Sequence, residues 1–158
     1  NWLLLLGAHL GDFWLWALLL AWSFYLARPQ PTAKGERPAR RKHLFACLVG
    51  LVLQIGLTLS VKQLVRRPRP TTGHLLYGAG PDQHSFPSGH AMRMAVVSGW
   101  ANLLWPGAGR LVPPLSVLVM WCRVRLGIHT LGDVLAGWLL GGVIVCTVRW
   151  AMRRRGSG

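Results

Sequence analysis

The sequence predicts an all-α bundle of membrane-spanning helices, and three observations predict it. Apolar runs of bilayer length recur along the chain, in which 52% of the 158 residues are hydrophobic and nine are Trp. Against only four acidic residues stand 18 Lys and Arg, a net charge of +14. The cations cluster between the apolar runs, so a balance that would suggest nucleic acid in a soluble protein points here to lipid headgroups and an anionic substrate. No nucleic-acid partner is expected.

Residues 1–12, ending in His9-Leu10-Gly11-Asp12, are too short to cross a bilayer alone and read as a partial or interfacial helix. The first span runs from Phe13 to Ala27 and borrows length from Leu3–Leu10 if Asp12 is buried in the bundle. Residues 28–43 form a polar linker with six cations, Arg28, Lys34, Arg37, Arg40, Arg41 and Lys42, which marks the cytoplasmic side. The second span, Leu44 to about Val65, stops at Arg66-Arg67-Pro68-Arg69-Pro70, where two prolines forbid further regular helix.

Residues 66–87 are then an external loop. A third span runs inward from Ser88 to Trp105, a turn holding Pro106, Gly107, Gly109 and Arg110 lies inside, and a fourth returns from Leu111 to about Leu126. The fifth, from about His129 to Trp150, ends inside in Arg149, Arg153, Arg154 and Arg155. Five spans put the first residue outside; since it is Asn1 rather than Met, a sixth span is expected upstream. Cys47, Cys122 and Cys146 are odd in number and lie in or beside apolar runs, so no disulfide framework is implied.

One stretch sets ionisable residues where they are costly. Cys122 to Asp133 joins two apolar runs, with Gly127 as the natural bend, and His129 and Asp133 fall four apart on one helix face. An imidazole with one nitrogen on a carboxylate is held in one tautomer with the other nitrogen free, which makes it a good base or nucleophile. Arg123 could bind an anion in front of it. The ordinary alternative is a His and an Asp that merely cap a helix.

Two further motifs fall on the same predicted face. Pro68 and Pro70 hold Arg69 extended, its guanidinium fork ready for two phosphate oxygens, and Lys62 adds a point charge. Snorkelling to the interface is the plain alternative for Lys62. Pro87-Ser88-Gly89-His90 opens the third span with Ser88 as N-cap, which aims the free amides of Ser88 and Gly89 at an anion. Arg93, one turn past His90, could act on that ring or on a second phosphate; equally, it could be tucked against backbone carbonyls.

Lys62 to Arg69-Pro70, Pro87-Ser88-Gly89-His90, and Arg123 to His129 to Asp133 together resemble the three motifs of the type-2 phosphatidic acid phosphatase superfamily, related to the vanadium haloperoxidases. The order and spacings match those of Lys-x6-Arg-Pro, Pro-Ser-Gly-His and Ser-Arg-x5-His-x3-Asp; Cys122 stands where the family has Ser. A thiol replaces a hydroxyl only as a weak hydrogen-bonding group, so weaker support is expected there rather than lost chemistry.

The resemblance implies one membrane-embedded phosphatase domain over residues 1–158, acting on a lipid-linked phosphate. It implies that His129 attacks phosphorus, Asp133 orients His129, and His90 protonates the leaving oxygen. Lys62, Arg69, Arg123 and the amides of Ser88 and Gly89 then hold the phosphoryl oxygens. No cofactor is expected. A zinc site drawn from His74, Asp82, His84, His90, His129 and Asp133 is the competitor, but no His-Glu-x-x-His spacing occurs. Implied substrates are undecaprenyl diphosphate, phosphatidylglycerol phosphate, phosphatidic acid or a lipid A phosphate, met at the outer face of a bacterial inner membrane. A lipid phosphotransferase or a non-catalytic lipid-binding protein are the alternatives. Nothing in the sequence sets the oligomeric state.

Overall fold

A computed structural model describes residues 2–27, 36–70 and 83–156, and all regular structure among them is helical. The helices are α1 (Trp2–His9), α2 (Phe13–Leu26), α3 (Glu36–Val65), α4 (Gly89–Leu104), α5 (Val112–Arg125) and α6 (Leu131–Gly156), with a 3-10 turn at Ala108–Leu111. Arg40–Val65 and Leu131–Arg154 are long and apolar enough to cross a membrane, and α1 with α2, bent by 45°, make a third candidate. At 1.5 Å per residue, α4 and α5 reach only about 20–25 Å.

The bent pair runs in one direction through the bundle. Gly7 lies against Cys122 near the end of α5, and Gly11 lies one turn deeper, against Val119. Trp16 and Ser23 then meet Trp105 at the far end of α4, the indole Nε1 donating to Ser23 Oγ at 2.9 Å. Residues 2–12 therefore continue the course of α2 along the bundle rather than lie apart from it.

The polar linker expected over residues 28–43 is shorter than its composition suggests, because α3 already begins at Glu36. Pro38 falls in the first turn, where a missing N–H costs nothing. The stop of α3 at Val65 is as expected: Arg66 takes a left-handed backbone (φ 49°) and its amide donates to Lys62 O at 3.0 Å, ahead of Pro68.

α4 is the centre of the bundle, with its Met92, Met94, Val96, Val97, Trp100 and Leu104 at most 1% exposed. It lies closest to α6, where Gly137 and Gly141 sit four apart. A Cβ on Gly137 would run into the Ser88 carbonyl, and one on Gly141 into the Met92 carbonyl. This small-residue stripe lets two helix backbones touch, which in lipid replaces the hydrophobic drive available in water. Cys122 and Gly7 repeat the device between α5 and α1.

The candidate site end is where α3 and α5 stop and α4 and α6 start. At the opposite end, Arg149 donates to Gly99 O and its guanidinium stacks 5.1 Å from the Trp100 ring.

Candidate active site

Local sequence rules build each piece of this end. Ser88 is the N-cap of α4, its Oγ accepting from the Ala91 amide at 3.4 Å, as the tetrapeptide predicts. Gly127, at φ 67°, turns the chain after α5; its amide donates to Val124 O at 2.9 Å, and the amides of Ile128 and His129 donate to Arg123 O at 3.2 and 3.4 Å. Only glycine takes that turn without strain, so the bend falls where the sequence places it.

The start of α6 departs from expectation. Thr130 and Asp133 form a reciprocal cap: the Thr130 amide donates to Asp133 Oδ2 at 2.7 Å and the Asp133 amide to Thr130 Oγ1 at 3.3 Å. His129 thus precedes the helix. Its Nδ1 lies 3.9 Å from Asp133 Oδ2, within ion-pair reach but beyond hydrogen-bond length, and this buried nitrogen has no hydrogen-bond partner among the described residues. Asp133, fully buried, also accepts from Ser85 Oγ and from Arg67 Nη1 at 3.1 Å. The carboxylate expected to orient His129 is therefore shared with the loop ends, which Ser85 N and Arg67 O also join at 2.8 Å.

Lys62 does not snorkel. Its side chain is 0% exposed and donates to the His84 carbonyl. Arg123 is 1% exposed, and Arg69, half-buried, donates to Ile128 O at 3.5 Å. His129, in the connection outside the spanning helices, is held well below its ordinary pKa by burial first, then by Arg123, Arg69 and Lys62. Burial and the cations on its approach thus favour the neutral imidazole.

Gly89, His90, Arg93 and His129 line a cavity of ≈ 160 Å³ together with Gln54, Ile55, Thr58 and Leu59 of α3. The sequence reading missed the polar pair on α3. Gln54 donates to Thr58 Oγ1 at 2.9 Å and reaches Gly89 O at 3.5 Å, so a Gln inside an apolar span was the available signal.

One sequence expectation is corrected here, and one left open is decided. The Ser88 amide is not free to cradle an anion: it donates to Asp133 O at 3.0 Å, tying α4 to α6. Of the alternatives open for Arg93, the structure shows the contact with backbone: it donates to Gly11 O at 2.6 Å and lies 5.8 Å from the Phe13 ring centroid, against the break between α1 and α2, while also lining the cavity. Of the residues a zinc site would use, His74 and Asp82 lie outside the described residues, among which no three His, Cys, Asp or Glu are grouped as ligands.

Lys62, Arg69, His90, Arg123, His129 and Asp133 thus converge on one end of the bundle from four segments. Residues 43–157 match the PAP2 superfamily. The chain belongs to that superfamily. The PAP2 fold is matched in the solved structure of a transmembrane PAP2 type phosphatidylglycerolphosphate phosphatase from Bacillus subtilis, with a TM-score of 0.74 at 24% identity over 96% of this chain and 76% of that one. Decaprenylphosphoryl-5-phosphoribose phosphatase of Mycobacterium tuberculosis is 33% identical over 111 residues, 68% of this chain and 60% of the relative. Undecaprenyl-diphosphatase of Sulfolobus acidocaldarius is 41% identical over 69 residues, 40% of this chain and 32% of the relative. The chain spans 60% or less of the length of these curated relatives. At the one departure from the PAP2 pattern, the Cys122 sulfur packs against Gly7. The position serves α1–α5 packing, for which a thiol suits as well as a hydroxyl.

Proposed function

We propose that this PAP2 chain hydrolyses a lipid-linked phosphate or diphosphate through a phospho-histidine intermediate. The observation that carries the proposal is a buried His129 with Lys62, Arg69 and Arg123 gathered around it, surroundings that favour its neutral form. Such a group is a poor base for bulk water and a good nucleophile toward an anion that the cations draw in.

His129 Nε2 forms the bond to phosphorus as the ester oxygen leaves, and His90 gives that oxygen its proton. The charge on the phosphoryl oxygens is spread over Lys62, Arg69, Arg123 and the Gly89 amide. Closing the 3.9 Å gap to Asp133 by about 1 Å gives His129 Nδ1–H an acceptor as positive charge develops on the ring. Water then attacks the phospho-histidine, and His90 takes its proton. The names of two relatives, a decaprenylphosphoryl-5-phosphoribose phosphatase and an undecaprenyl-diphosphatase, support a polyprenyl-linked phosphate such as undecaprenyl diphosphate as substrate, with phosphatidylglycerol phosphate and phosphatidic acid as the glycerolipid candidates. Residues 1–158 form one domain of five spans in which the short α4 and α5 also cross.

Purified protein given each lipid in detergent is expected to release inorganic phosphate undiminished by a chelator, because the three cations supply the charge stabilisation. Phosphate found only on an added acceptor lipid would make the reaction a transfer; phosphate found only on adding metal would refute the cation cradle.

The site faces outside the cytoplasm of a bacterial inner membrane, a reading supported by the dense cationic clusters at the other end. Gln83→Cys is expected to react with an impermeant thiol reagent in intact cells, and Arg110→Cys is not. Cys146, exposed, is first replaced by Ala, whereas Cys47 and Cys122 are buried. The reverse labelling would put the site inside.

A further inference from the structure

Asp12 is one of four acidic residues in the chain and is half-buried at the break between α1 and α2. A carboxylate between two apolar helices calls for an explanation. Its position is the N-cap of α2, where an Asp ordinarily accepts from the helix's own first amides, yet it makes no side-chain cap hydrogen bond. It turns instead to two imidazoles. Oδ1 lies 2.8 Å from His90 Nε2, and Oδ2 lies 2.7 Å from His9 Nδ1.

The surrounding residues hold that arrangement. Arg93, one turn along α4 from His90, bonds Gly11 O; Trp16 Nε1 bonds Leu10 O at 2.8 Å. A Cβ on Gly11 would come within 2.8 Å of Val119 Cγ1 and 3.0 Å of His90 Cδ2. The break is therefore closed on the edge of the His90 ring that carries Cδ2 and Nε2. Nδ1 is on the opposite ring edge, and His90 lines the cavity together with His129.

We propose that Asp12, braced by His9, is the positioning carboxylate of His90: it keeps the proton on Nε2 and the ring in place, so that proton exchange with substrate runs through Nδ1. The proposal rests on the phosphatase reading above and extends it to the α1–α2 break. Protons balance over the cycle. As the His129 N–P bond forms and the P–O bond breaks, the Nδ1 proton passes to the leaving oxygen; as water's oxygen bonds phosphorus and the N–P bond breaks, a water proton returns to Nδ1. Asp12 stays ionised throughout.

The groups facing His90 are Asp12 from the α1–α2 break with His9 behind it, Arg93 on its own helix, Arg123 from α5, and His129 from the α5–α6 connection. Asp12 is the one anion among them. Its loss would take away the negative charge that an imidazolium at that position needs.

The test uses the full chain in detergent with phosphatidic acid, undecaprenyl diphosphate and p-nitrophenyl phosphate. Asp12→Asn is expected to lower kcat on the lipid that the protein hydrolyses by about 10- to 100-fold with little change in KM. It should move the basic limb of kcat to lower pH by about one unit. The loss should be much smaller on p-nitrophenyl phosphate, whose leaving group needs no proton, and Asp12→Glu should restore part of the lipid activity. A merely structural Asp12 would lose both substrates equally, and a carboxylate that blocked the site would raise activity on removal; either result overturns the proposal. The readout that does not need turnover is a 15N histidine NMR titration, with His90 assigned from His90→Gln. A His90 midpoint unchanged in Asp12→Asn overturns the proposal even if no phosphate is released, whereas a midpoint moved to lower pH in a protein without phosphate release would sink the phosphatase reading alone.

Discussion

His129→Ala is expected to reduce phosphate release by at least about 10³-fold, the loss that follows removal of a covalent nucleophile. Its fold should survive. The His129 ring is 3% exposed, but its Nδ1 makes no hydrogen bond among the described residues, and the turn that carries it is held by backbone bonds to Arg123 O that an alanine keeps. Lys62 and Arg123 remain, so substrate should still bind and KM should change far less than kcat. Labelled lipid phosphate quenched in base should leave radioactive protein in the wild type and none in the variant. Turnover retained in the purified variant would mean that water attacks phosphorus directly, with the cations alone doing the activation.

What was legible in the sequence was what local rules decide. The stop of α3 before Pro68, the Ser88 cap and the bend at Gly127 each depend on a residue and its immediate neighbours, and each is found where the residues place it. The start of α3 was misjudged because a run of cations reads as a polar linker, although such residues and Pro38 suit the exposed first turns of a helix. Contacts across the chain were not legible. Ser85 and Arg67 reach Asp133 from 48 and 66 residues away, and nothing near them announces it. Two signals were present and under-read. The Gly137-x-x-x-Gly141 spacing reports a close helix contact without naming the partner, and Asp12 is an acid in an apolar run whose partner, His90, is 78 residues away.

Asp133 carries two tasks, and a set of variants separates them. It caps α6 with Thr130, and it receives Ser85 Oγ and Arg67 Nη1 while facing His129 at 3.9 Å. Asp133→Ala removes all of these except the bond from the residue-133 amide to Thr130 Oγ1, and leaves the Ser85 hydroxyl and the Thr130 amide without their acceptor, so a loss of about 3 kcal/mol or more in stability is expected. Arg67 contributes little to that figure because its side chain is 46% exposed. Activity should fall by at least about 10³-fold, since the imidazolium that forms as His129 bonds phosphorus loses the carboxylate beside it. Thr130→Ala deletes only the half of the cap in which Thr130 Oγ1 accepts from the Asp133 amide and should cost about 1 kcal/mol. Because Asp133 keeps its place through Ser85, activity in Thr130→Ala should stay within about fivefold of wild type, a difference worth about 1 kcal/mol in the barrier. Thermal unfolding in detergent and phosphate release, measured on both variants, test the division. Equal loss of activity in the two would mean that Asp133 acts through the helix start alone, with no part in orienting His129.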